Sequence, residues 1–363
     1  MSKYTRKVGP PPPARGLTSA QPVRRIELAV PAGLEPLARR ELRRLGREAR
    51  VDAAPAPGVI GLAYSGELRR LLGLRLVTSA ALLRSFAVPR PRALLGDEHL
   101  RAALALCETA IGLHPPGSFR TLFLSAAGAD TAVLRRLKAE LAGRLGLEPG
   151  ADDGDLLLRL RRGASGAGWE LLARLSPRPL ATRAWRVCNR EGALNGSVAC
   201  AMATLSGPDA GDTYLNIGCG SGTLLIERLQ LAPARRALGC DTSPEALDCA
   251  RANLEAAGLA GRCELHQWDA RALPLPGQSV DVIVGDLPFG HLVGSHVENL
   301  ALYPALLAEG ARVARPGARC VLLTHEVRLM ERLLAHSDLW RVEAITRVDL
   351  GGLFPRIFQL RRR

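Results

Sequence analysis

The sequence TYLNIGCGSGT occupies residues 213–223. It is an apolar run that stops in three glycines at alternate positions, Gly218, Gly220 and Gly222, and passes into the helical pattern LLIERL. A strand that ends in glycines lets backbone approach a ligand closely, and the helix that follows turns its N–H groups toward that ligand. About twenty residues on, LGCD ends a second short apolar run in Asp241, where doubly wound folds place a carboxylate for ribose hydroxyls. Asn216, Gly218, Gly220, Gly222, Thr223, Asp241 and Thr242 are therefore candidate cofactor contacts.

A glycine turn followed by an acid fits more than one ligand. A nicotinamide site asks for G-x-G-x-x-G/A, and the last position here is Thr223. A phosphate-cradling P-loop asks for G-K-[ST], which the chain lacks. The decisive stretch is VDVIVGDLPFGH, residues 280–291, a buried strand that ends in Asp286-Leu287-Pro288-Phe289. At a strand C-terminus of an open α/β sheet, an Asp, a carbonyl-presenting turn and an aromatic form a clamp for a planar group bearing an exocyclic amine. The Asp286 carboxylate and the Leu287 carbonyl accept its two N–H groups, and Phe289 stacks on its face. In this reading Leu287 gives only its carbonyl, and its side chain is replaceable.

The order GxGxG, Asp241, Asp269, D-x-P-F resembles class I S-adenosylmethionine-dependent methyltransferases that methylate amines, with Leu287 standing where their usual motif has a first proline. WDARALPLPGQSVDVIVGDLPFG, LYPALLAEGARVARPGARCVLLT and VDLGGLFPRIFQLRR resemble, more narrowly, the THUMP-containing N2-guanine tRNA methyltransferases. The likeness covers roughly residues 25–363. It implies a Rossmann-like α/β sheet of seven strands with the last antiparallel, and S-adenosyl-L-methionine as cofactor. It also implies that Asp269 and Ala270 meet the adenine ring, and that Asp286, Leu287, Pro288 and Phe289 carry the transfer. SFRTLFLSAAGADTAVLRRLKAELAGRL, from Ser118, resembles a THUMP domain, which implies a hold on the 3′ end of tRNA. Its candidate RNA contacts are Arg120, Arg135, Arg136 and Lys138. The implied product is N2-methylguanosine in the acceptor stem, at position 6, with the base flipped into the clamp. A ribosomal RNA guanine, a DNA adenine amine and a non-catalytic RNA-binding module are the alternatives.

Charge divides the chain in the same place. Residues 1–190 hold 32 Lys+Arg against 16 Asp+Glu, and residues 191–363 hold 17 against 19. A basic front half that meets a polyanion and a near-neutral back half that does chemistry fit this split. Eight cysteines occur without a C-x-x-C pair, so buried reduced thiols are expected, with neither zinc nor a disulfide framework. Direct methyl transfer requires no metal. No apolar run approaches the ~20 residues that cross a bilayer, and the N-terminus lacks the apolar core of a signal peptide, so a cytoplasmic protein is expected.

Five segments follow from pattern. Residues 1–22 read as a disordered basic, proline-rich arm, and 23–90 as a ferredoxin-like β-α-β-β-α-β unit. Residues 91–176 read as the THUMP region, and 177–196 as a linker leading to a helix near Asn195-Gly196, with Ser197 as its cap. Residues 197–363 alternate strands and helices, including a helix expected over 302–313, as a parallel sheet covered on both faces requires.

Overall fold

The computed structural model describes residues 22–52, 56–163, 166–288 and 296–363. The basic arm, apart from Pro22, and Phe289 lie outside the described residues. Two sheets organise the rest, eight strands from the first half of the chain and seven from the second.

The first sheet opens with β1 (Arg24–Ala29), α1 (Glu35–Leu42), β2 (Ala49–Val51), β3 (Val59–Tyr64) and, after a 3-10 turn at Leu68–Gly73, β4 (Ser79–Phe86). In β3 the alternation of VIGLAY buries Ile60, Leu62 and Tyr64 on one face, as a strand covered on one side requires. The chain continues through α2 (Asp97–Ile111), β5 (Thr121–Ala126), α3 (Ala132–Leu145), β6 (Glu148–Pro149), β7 (Leu156–Arg162) and β8 (Trp169–Arg174). Pairing of β8 with β4, Leu83 opposite Leu172, joins these strands in the order β2-β3-β1-β4-β8-β7-β5-β6. The Pro-Arg-Pro-Arg stretch at 89–92 therefore interrupts the chain and not the ladder.

After α4 (Gly196–Leu205) come β9 (Thr213–Ile217), α5 (Thr223–Leu231), β10 (Arg236–Asp241), α6 (Pro244–Ala256), β11 (Glu264–Gln267) and β12 (Val280–Asp286). The chain ends with α7 (His296–Val313), β13 (Ala314–Thr324), α8 (Val327–Ala335), β14 (Trp340–Arg347) and β15 (Arg356–Arg362). The sheet order is β11-β10-β9-β12-β13-β15-β14, parallel except for β15, which runs antiparallel to both neighbours. This is the seven-stranded α/β arrangement expected from the sequence. All five residues of β9 are buried, because helices cover both faces. Between β9 and β12 the strand order reverses, and such a switch point opens a crevice at the strand C-termini.

Two local expectations are corrected. Helix α7 starts at His296, six residues before the expected 302, and runs through Pro304. Tertiary anchors on its first turns, described below, outweigh the local cost of that proline. Cys188 and Cys249, expected as reduced thiols, form a disulfide across 61 residues with Cα atoms 5.4 Å apart. Fold topology, which spacing cannot reveal, brings them together. The Asn253 carboxamide of α6 accepts from Cys188 N–H at 2.9 Å and donates to the Cys188 and Ser221 carbonyls at 2.9 Å each, seating the connecting segment on α6.

The halves share one apolar core, in which Leu28, Val77 and Leu175 belong with Val198, Leu224 and Val284. Buried Glu227 of α5 takes ion pairs from Arg75 of the first half and from Arg183 of the connecting segment. At Gly33, with φ at 99°, a Cβ would lie 1.9 Å from the Arg347 carbonyl, so only glycine lets β14 approach there.

Candidate active site

Register places the site before any side chain is considered. Gly285 of β12 lies opposite Ile217 of β9, so the chain leaves the sheet at Gly218 and at Asp286 side by side. Gly218 and Gly220 have φ of 56° and 51°, and a Cβ on either would meet nothing within 4 Å. Their surface is open for a ligand to lie against backbone. Gly222, with φ at 79°, has a different role, since a Cβ there would meet the Ala250 Cβ of α6 at 3.2 Å.

Asp241, at the end of β10, closes one side of this opening. Its Oδ2 accepts from Gly220 N–H at 2.8 Å and its Oδ1 from Ser243 N–H at 3.0 Å. Each oxygen keeps a second lone pair, so the carboxylate is held rigid and can still take a diol. Gly218, Asp241, Thr242, Asp269, Ala270 and Asp286 together line a cleft of about 150 Å³. Leu287 and Pro288 line it too, and so does Trp268, whose indole stacks on His266 at 3.9 Å between centroids. The Arg271 guanidinium grips the Asp269 carboxylate at 2.6–3.0 Å and holds its pKa below the usual carboxylate range.

Four expected cofactor contacts stand outside this wall: Gly220 and Gly222 of the glycine turn, and Thr223 and Asn216. The Thr223 hydroxyl is buried in α5 and accepts from Arg186 Nη2 at 3.0 Å. Asn216 is fully buried and donates to the Val284 carbonyl at 3.1 Å, tying β9 to β12 beneath the opening.

Asp286 is the unusual group. Its Oδ1 is buried and meets no hydrogen-bond partner among the described residues. Loss of water around it pushes the carboxyl up to about 7. The turn that follows is built firmly. Leu287 N–H donates to the Leu323 carbonyl at 2.9 Å, and its side chain is packed in the core beside Ile217. The expectation that this side chain is replaceable is thereby corrected, since proline here would lose both the ladder bond and the packing. The Pro288 carbonyl accepts from Asn299 Nδ2 at 3.1 Å and from the Tyr303 hydroxyl at 2.7 Å. A carbonyl only accepts, so Tyr303 donates there, and its oxygen takes the Thr324 hydroxyl proton at 2.7 Å. Thr324 Oγ1 in turn accepts from Glu326 N–H at 2.9 Å. Asn299 and Tyr303, four apart on one face of α7, were missed by sequence reasoning; the N-x-x-x-Y spacing was their only signal.

A second cavity, of about 500 Å³, lies between the halves of the molecule. Pro31, Ala32 and Thr78 of the first half, Ala193 and Asn195 of the connecting segment, and Asp286 contribute to its wall. Asp286 thus belongs to the walls of both cavities. The candidate RNA contacts lie elsewhere. Arg120, Arg135 and Arg136 are exposed around β5 and α3, while Lys138 Nζ is committed to the Gly150 carbonyl at 3.1 Å.

The protein family described as UPF0020, RMKL-like, methyltransferase domain, matches residues 183–356. The C-terminal half is a methyltransferase domain. A tRNA (guanine(6)-N(2))-methyltransferase THUMP3 of Bos taurus is 34% identical over 182 residues, 47% of this chain and 36% of the relative. A U6 snRNA (guanine-N(2))-methyltransferase THUMPD2, also of Bos taurus, is 39% identical over 150 residues, 41% of this chain and 28% of the relative. The chain thus spans little more than a third of the length of the first of these curated relatives and less than a third of the second. The crystal structure of TrmN from Thermus thermophilus is similar across both halves, with a TM-score of 0.70 and 27% identity over 93% of this chain and 99% of that one. Among the described residues, no helix is long and apolar enough to cross a membrane.

Proposed function

We propose that this methyltransferase moves a methyl group from S-adenosyl-L-methionine to the exocyclic N2 of a guanosine in tRNA, in the acceptor stem at position 6. The observation that carries the reading is the place of Asp286, shared by the cofactor-side cleft and the larger cavity between the halves. A group so placed can touch an acceptor amine on one side while a methyl donor lies on the other. The glycines at 218 and 220 offer the open backbone such a donor needs, and Asp241 offers lone pairs to its ribose. Asp269, Ala270 and Trp268 flank the adenine end.

Guanine N2 is a poor nucleophile, because its lone pair is delocalised into the ring. Acceptors at Asp286 and at the Leu287 carbonyl draw its hydrogens and leave the lone pair facing the methyl carbon. The N–C bond forms as the S–C bond breaks, leaving S-adenosylhomocysteine, and the proton lost from nitrogen passes to Asp286. Phe289 stacks on the base, which leaves its helix to reach the cavity. The first half, the ferredoxin-like region 23–90 and the THUMP region 91–176, grips the tRNA 3′ end through Arg120, Arg135 and Arg136. The test is incubation of unmodified tRNA with labelled S-adenosylmethionine, followed by nucleoside mass mapping. N2-methylguanosine at one acceptor-stem position is expected. Methyladenine in duplex DNA with none in tRNA would overturn the reading.

A further inference from the structure

Asn195 ends the connecting segment, and the two atoms of its carboxamide face different surroundings. Its oxygen accepts from Ser197 N–H at 2.9 Å and from Val198 N–H at 3.4 Å, so Asn195 caps α4. The expected cap, Ser197, is instead fully buried and donates its hydroxyl to the Val77 carbonyl at 3.1 Å. With Oδ1 committed to the helix, the planar carboxamide turns Nδ2 away from it. Asn195 lines the cavity between the halves, the same cavity that Asp286 lines.

That chamber therefore holds a group that only donates and, from the ionised carboxylate of Asp286, one that only accepts. The donor is also rigidly set. A Cβ on neighbouring Gly196 would meet the Ala181 carbonyl at 2.6 Å, and Arg186 Nη2 pins the Leu194 carbonyl at 2.7 Å, so the segment has no room to slide. Guanine carries the matching pair, an acceptor O6 and a donor amine at N2, whereas adenine carries a donor amine at the 6 position.

We propose that Asn195 is a specificity-determining residue, donating from Nδ2 to O6 of the guanine whose N2 faces Asp286. The proposal rests on the guanine-N2 reading above. Adenine in the same pose would set its amine against the amide donor and leave both unpaired, the kind of mismatch by which a polar site rejects an analogue.

Asn195→Asp keeps a capping oxygen and removes the donor, and Asn195→Ser is a second capping variant without the amide. Both should keep the melting temperature and the affinity for S-adenosylmethionine. Their kcat/KM on guanine-containing tRNA should fall about tenfold to a hundredfold, the range for leaving one buried partner unpaired. The companion substrate carries 2-aminopurine at the target position, with the amine and without O6. Wild type should methylate it slowly, and the variants should lose little further, because the contact is already absent. Wild-type kcat/KM for Asn195→Asp on guanine, or losses that simply multiply on 2-aminopurine, would overturn the O6 contact alone. Wild-type protein that leaves guanine N2 unmethylated in every RNA would overturn the functional reading and this proposal with it.

Discussion

Two carboxylates end nearby strands of one sheet and live under opposite conditions. Asp241, at the end of β10, accepts a backbone N–H on each oxygen and keeps lone pairs for a ligand. Asp286, at the end of β12, has a buried oxygen with no partner among the described residues, and burial alone lifts its carboxyl to about 7. A satisfied acid binds; an unsatisfied one holds desolvation in reserve until a donor arrives. On the proposed reading, Asp241 serves affinity and Asp286 serves chemistry.

The largest effect that would break this contrast belongs to Asp286→Asn. Single-turnover methyl transfer should fall about 10²–10³-fold, the usual loss when one preorganised group at a developing charge is removed. The same change should raise stability. Burial lifts the folded carboxyl from 3.8 to about 7, so the folded state holds an extra proton across that window and loses stability as pH rises through it. A neutral Asn escapes that loss, so its gain in melting temperature should be larger at pH 8 than at pH 5. An unchanged melting temperature at both pH values would show that Asp286 carries no such burden.

Asp241→Ala should leave chemistry at saturating cofactor closer to wild type. It should weaken S-adenosylmethionine binding by about 1–3 kcal/mol, through charge-assisted bonds to the ribose lost. Calorimetry showing unchanged affinity would remove Asp241 from the cofactor site.

A smaller effect sharpens the picture of the turn. Tyr303→Phe removes the hydroxyl that donates to the Pro288 carbonyl and accepts from Thr324, and leaves Asn299 in place. Turnover should fall about twofold to tenfold, in line with the ~0.5–1.5 kcal/mol of the hydrogen bond that positions the turn, with cofactor affinity unchanged. A change in cofactor affinity alone would place Tyr303 on the Asp241 side of the comparison.

Much of this was legible in the chain. Buried runs ending in glycine or Asp gave β9, β10 and β12 in their correct places, because parallel strands covered on both faces must be apolar throughout. Local motifs also carried Gly218, Asp241, Asp269 and Asp286, which the fold brings to one cleft. What pattern could not give was contact between distant segments. The start of α7 depends on Asn299 and Tyr303 finding the Pro288 carbonyl. The Cys188–Cys249 bond depends on Asn253 seating the connecting segment. Burial of the Leu287 side chain and of Thr223 depends on their packing neighbours, and motif position says nothing of those. The cavity between the halves is likewise a product of packing.

The pH dependence of kcat/KM for guanine-containing tRNA, which reports the free enzyme, tests the role of Asp286 most directly. If the ionised carboxylate receives the amine hydrogens, the rate should rise with pH to an inflection near 7 and then level, following the pKa that burial imposes. Asp286→Asn should lack the inflection. A wild-type profile that is flat between about pH 5.5 and 8.5, with the same residual rate in both proteins, would contradict the account.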